Sequence, residues 1–105
     1  MNLPATVGAL QGEEFVTSYH PVYTDLDTNH HVNNTKYVDW LCNTLGTDCM
    51  IRQEPESIII NYNHEVLADS EVVLRRIMKE EQYRLIGYVQ DSVAFEIGGM
   101  LRKRQ

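Results

Sequence analysis

The chain has 105 residues, a net charge of −6, 43% apolar and 23% charged side chains. That length fits one domain with a real core, burying about two-thirds of its unfolded surface. The acidic balance argues against general nucleic-acid binding, which runs on phosphate neutralisation, and no apolar run approaches the ~20 residues of a membrane span.

Residues 1–12 lack a basic start followed by an apolar block, so no secretory leader is expected. Residues 1–13 read as a linker or flexible start, and 14–105 as a single domain. Residues 14–24 are rich in β-branched and aromatic types and predict a first strand, with Pro21 near an edge or bulge. A polar loop follows, and Asn33 or Asn34 is placed to cap a helix. Tyr37, Val38, Trp40, Leu41 and Leu45 then recur at helical spacing, with Gly46 as C-cap. Residues 47–56 read as a polar connection.

The second half predicts an antiparallel meander: strands at 57–65, 71–79, 82–90 and 92–102, joined by tight turns. In the last strand, Val93, Phe95, Ile97, Gly99 and Leu101 alternate with Ala94, Glu96, Gly98 and Met100, a half-buried pattern. Pattern alone supports an α+β domain in which one helix packs on one antiparallel sheet, with Trp40 and Tyr37 filling the sheet's concave face. Cys42 and Cys49 match neither a zinc nor a redox motif, so both are expected reduced, with a cytoplasmic location. His20, His30, His31 and His64 match no ligand spacing, so no metal or other cofactor is expected.

The loop Asp25-Leu-Asp27-Thr-Asn29-His30-His31-Val32-Asn33-Asn34 carries the chemistry. It sets a carboxylate, a carboxamide and an imidazole at Asp27, Asn29 and His31, just before a helix. A carboxylate can take a proton from water or attack a carbonyl directly. Asn29 and His31 supply donors or a proton shuttle, and N–H groups at a helix start favour a developing oxyanion. Each residue alone has a plainer reading: Asp27 and Asn29 as turn formers, His31 as a structural histidine, Glu65 as a solvated strand end.

Together with Tyr37 and Trp40, the string Asp27-x-Asn29-x-His31-Val32-Asn33-Asn34-x-x-Tyr37-x-x-Trp40 resembles the acyl-acyl-carrier-protein thioesterases of plants and bacteria, in their C-terminal hot-dog half. A second match is Asn61-Tyr62-Asn63-His64-Glu65, where Glu65 falls at the family's catalytic glutamate. The resemblance covers roughly residues 14–102. It implies a hot-dog fold, Asp27, Asn29, His31 and Glu65 as catalytic residues, and Tyr37, Asn33 and Asn34 at the substrate. Glu65 is the favoured water-activating base, with Asp27 either orienting groups or attacking directly. Many plant members place a cysteine after the glutamate; here the residue is Val66, which excludes a thiol nucleophile there.

The resemblance implies acyl carrier protein as partner and thioester substrate. That carrier is strongly acidic, so docking on this acidic chain needs local basic groups. Arg75, Arg76, Lys79 and Arg84 form one cluster in sequence, and Arg102, Lys103 and Arg104 another. The family's chains carry two hot-dog halves and this chain matches the second. A homodimer, or pairing with a second hot-dog domain, is therefore expected. Two other functions compete. One is an acyl-CoA thioesterase of the single hot-dog type, in which glycine often stands where His30 does. The other is a catalytically silent acyl-binding module.

Overall fold

A computed structural model describes residues 12–104. Strand β1 (Glu13–Tyr19) leads through a 3-10 turn (Tyr23–Asp25) and the polar loop to helix α1 (Lys36–Leu45). A short helix α2 (Thr47–Arg52) follows, then β2 (Gln53–Tyr62), β3 (Val72–Lys79), β4 (Gln82–Val89) and β5 (Ser92–Lys103). The strands form one antiparallel sheet in the order β1-β3-β4-β5-β2. The first two strands therefore lie at opposite edges, and the helical connection between them crosses one face of the sheet. No helix among the described residues is long and apolar enough to cross a membrane.

That crossing makes the core. Tyr37, Trp40 and Leu41 of α1 are buried against Val72 and Leu74 of β3, Tyr83 and Leu85 of β4, and Phe95 and Ile97 of β5. Burying each large side chain stabilises by about 1.5–3 kcal/mol. Tyr37 stacks on Phe95 with centroids 3.9 Å apart and planes 6° from parallel. Gly87 lies directly beneath the Phe95 ring, where any Cβ would collide with it. The meander turns are two residues long. Gln90 and Asp91 both take positive φ, 51° and 67°, as a type I′ hairpin requires.

Several expectations from the sequence are corrected. The first strand ends at Tyr19, because Pro21 interrupts it and Tyr23–Asp25 turn as 3-10 helix. Residues 47–56 are not an irregular connection: 47–52 form α2 and 53–56 open β2. Gly46 (φ 95°) ends α1 as expected, and its carbonyl also accepts from Met50 N–H, so one helix restarts where the other stops. The β2–β5 register shifts between Pro55 and Ser57, in keeping with a proline on an edge strand. The meander strand expected over 57–65 stops at Tyr62, leaving Glu65 in a loop. In β5 the residues from Ala94 to Gly98 are buried on both faces, because the strand is interior rather than half-exposed. Glu96, 1% exposed, meets Arg84 there as an ion pair. The expected linker at 1–13 lies almost wholly outside the described residues.

The first basic cluster is also redistributed. Neighbouring strand residues point to opposite faces, so Arg75 and Arg76 part company. Arg75 forms a two-pronged bond to Glu14. Arg76 donates to the Thr44 carbonyl at the C-terminal end of α1 and lies over the Phe15 ring. On the face opposite Arg76, Arg75 and Arg84 are each held by a carboxylate, Glu14 and Glu96, while Lys79 is exposed at the end of β3.

Candidate active site

The polar loop is held by its own backbone. Asp27 N–H donates to the His31 carbonyl at 2.8 Å, and His30 N–H to the Asp27 carbonyl at 3.0 Å. Asp27 Oδ1 accepts from the N–H groups of Asn29 (2.9 Å) and His31 (3.1 Å). The tight loop forces His30 to φ 65°, a left-handed conformation that suits glycine better. The turn-forming role of Asp27 is therefore real, and it coexists with a place in the cleft.

A second set of contacts ties the loop to the far end of β2. Val32 N–H donates to the Val66 carbonyl at 2.9 Å, and His31 bridges to Leu67. These bonds bring His31 Nδ1 within 3.2 Å of Glu65 Oε1. The Val66 side chain turns the other way and is fully buried in the core, so a side chain at this position does not reach the cleft.

Asp25, which sequence reasoning passed over, anchors the loop's entrance. Its carboxylate is buried, accepting from Tyr19 Oη at 2.6 Å and Val22 N–H at 2.9 Å. Its carbonyl accepts from Asn33 N–H at 2.8 Å. The only advance signal was a carboxylate two residues before Asp27 in a stretch dense with turn formers.

The result is a cleft of about 330 Å³ lined by Asp27, His31, Val32, Asn33, Asn34 and Glu65. Five of the seven site residues named from sequence line it. Asn29 is exposed on the adjoining loop and is not part of the lining. Tyr37 is 1% exposed and packs between Phe95, Trp40 and Tyr62. Burial first, then the neighbouring Tyr62 and Glu65, push its phenol up to about 12, so it stays a neutral hydroxyl behind the cleft. Among the described residues, no three His, Cys, Asp or Glu side chains converge as metal ligands.

The caps differ from expectation in detail. Asn33 Oδ1 accepts from Thr35 N–H and Oγ1, one turn before α1 begins at Lys36. Lys36 and Tyr37 N–H groups donate to the carbonyls of Asn33 and Asn34. Between His30 and Tyr37, the Asn34 N–H alone makes no hydrogen bond within the described residues. It sits in the cleft wall at the positive end of α1.

The profile of the acyl-ACP thioesterase C-terminal domain matches residues 8–96. Palmitoyl-acyl carrier protein thioesterase of Arabidopsis thaliana is 40% identical over 50 residues, covering 48% of this chain but 12% of its own length. The 12:0-ACP thioesterase of Umbellularia californica superposes with TM-score 0.75 at 23% identity, over 86% of this chain and 35% of that one. An acyl-ACP thioesterase of Bacteroides thetaiotaomicron gives TM-score 0.78 at 13% identity, over 97% and 42%. This chain thus spans well under half of those proteins. The fold is a hot-dog fold, and the chain belongs to the acyl-ACP thioesterase family through its C-terminal domain.

Proposed function

We propose that this domain hydrolyses the thioester of acyl-acyl carrier protein, releasing a fatty acid. The observation that carries this reading is the 3.2 Å approach of His31 Nδ1 to Glu65 Oε1 in a cleft shared with Asp27 and the uncommitted Asn34 N–H. Glu65 takes a proton from water as its oxygen bonds to the thioester carbonyl carbon. The oxyanion so formed is stabilised by the Asn34 N–H and the positive end of α1. As the C–S bond breaks, the proton passes from Glu65 or through His31 to the departing sulfur. Asp27 orients the loop rather than attacking, a view supported by its Oδ1 already accepting two backbone N–H groups. Asn29 acts from the rim.

The domain works as a homodimer. Among the described residues β2 is an edge strand of ten residues, with Ile58, Ile59 and Tyr62 each more than 40% exposed. An open, apolar edge of that length invites pairing with a second copy.

The test is hydrolysis of matched acyl-carrier and acyl-CoA thioesters, with Glu65→Gln as control. Carrier turnover that disappears in the variant is expected. A clear preference for CoA would move the chain to the single-domain acyl-CoA type. No turnover of either, with the acyl ligand still bound, would identify a silent module. Sedimentation showing only monomer at tens of micromolar would overturn the dimer.

A further inference from the structure

Strand β2 ends with two successive N–H groups on one acceptor. Asn63 and His64 N–H both donate to the Ala94 carbonyl, at 2.8 and 3.2 Å. In an extended strand, neighbouring N–H groups point to opposite sides. Their convergence therefore marks the point where the chain leaves the sheet and carries Glu65 toward the loop of Asp27. The acceptor sits in an irregular part of β5. Gly87 pairs with Phe95 and Tyr88 with Val93, so Ala94 is one residue more than β4 can match. That is a β-bulge, a feature that ends pairing or re-aims a side chain beside a functional site. Asn63 adds a side-chain bond to the same place. Its Nδ2 donates to the Val93 carbonyl at 3.0 Å, across 30 positions of sequence.

The Glu65 carboxylate depends on this junction. With 70% of its side chain exposed, packing does little to fix it, and its backbone decides where the carboxylate goes. That backbone is pinned on both sides. Downstream, the Val66 side chain is fully buried in the core, and its carbonyl accepts from Val32 N–H at 2.9 Å. Upstream, the three bonds onto Val93 and Ala94 do the same work, and one of them comes from an exposed side chain. Asn63 lines neither of the cavities that Glu65 walls, so it acts on the site only through the chain it fixes. We propose that Asn63 is a positioning residue for Glu65: its amide locks the end of β2 onto the bulge at Val93 and Ala94, and so sets the carboxylate against His31. The inference rests on the thioesterase reading above and adds to it the residue that places the base. The 3.2 Å contact between His31 and Glu65 is then a property of the β5 bulge as well as of the polar loop.

The test uses the full chain with Asn63→Ala and, separately, Asn63→Asp, which keeps the shape of the side chain but cannot donate to a carbonyl when ionised. With acyl-carrier thioester as substrate, kcat falls roughly tenfold to a hundredfold in both variants, the scale of a small misplacement of a reacting group. KM and the melting temperature hold, because Asn63 touches neither cleft nor core. The decisive comparison is a double-mutant cycle with Glu65→Gln. In that background Asn63→Ala removes nothing further from the residual rate, since the group it places has lost its function. A loss by the same factor in both backgrounds would show a general structural role and overturn the proposal. Wild-type kcat in both Asn63 variants would overturn it too, as would a rise in KM with kcat unchanged. If the wild type hydrolyses nothing, the thioesterase reading fails by itself, and the lock is read by amide hydrogen exchange in the same proteins. Exchange at the His64 N–H is expected to quicken in both variants while the amides of β3 and β4 keep their protection. Unchanged exchange at His64 would refute the lock.

Discussion

His31 Nδ1 stands 3.2 Å from Glu65 Oε1, and the contact is made by backbone bonds on either side of it rather than by the two side chains alone. Val32 N–H to the Val66 carbonyl and the His31–Leu67 bridge hold the two segments in register. Both side chains remain open to solvent, at 36% and 70% exposure, so substrate and water can enter the space between them.

From that geometry, Glu65→Gln is expected to lower kcat by about 10²–10⁴, the range of a lost general base. Asp27→Asn keeps an oxygen acceptor for the Asn29 and His31 N–H groups and is expected to cost less. Single-turnover hydrolysis separates the two. An equal or larger loss in Asp27→Asn would favour direct attack by Asp27.

Asp25 governs the loop's position without touching the cleft. Asp25→Ala leaves Tyr19 Oη and Val22 N–H without their acceptor and is expected to cost about 1–3 kcal/mol in chemical denaturation. Tyr19→Phe should cost less, because the Val22 bond survives. Stability unchanged in Asp25→Ala would show that the loop is anchored elsewhere.

His30 is held at φ 65°, which costs a side chain about 1–2 kcal/mol, while glycine loses about 0.5–1 kcal/mol of that gain to unfolded-state entropy. His30→Gly is therefore expected to leave stability level or raise it by up to about 1.5 kcal/mol. Its melting temperature is the readout, and a marked fall would reveal a contact that the imidazole makes.

Three of the six tyrosines are pushed up to about 12: Tyr19, Tyr37 and Tyr83, each by burial first. The hydrogen bond to Asp25 adds to the effect at Tyr19. The folded state thus holds these protons more tightly than the unfolded chain, whose phenols release them near 10. Their contribution is whole below pH 10 and is lost as pH climbs through 12. Tyrosinate absorbance from these three residues should appear only as pH approaches 12, together with unfolding. A single stage near pH 10 with the fold intact would contradict this.

Much of the architecture was written locally. The helical spacing of Tyr37, Trp40 and Leu41 marked the face of α1 that meets the sheet, and two-residue turns marked the meander. The Asp27–Trp40 string carried the family. Such features depend on neighbours a few positions apart, so periodicity and turn chemistry reveal them. The tertiary structure alone decided what depends on distant partners. It brought Glu65 to His31, buried Tyr37 behind the cleft and left Asn29 on its rim. It gave Asp25 its anchoring role and turned β5 into an interior strand. It also split Arg75 from Arg76 onto opposite faces. Each of these outcomes follows from which strand lies beside which, and strand order is set by non-local burial and pairing that no short window of sequence contains.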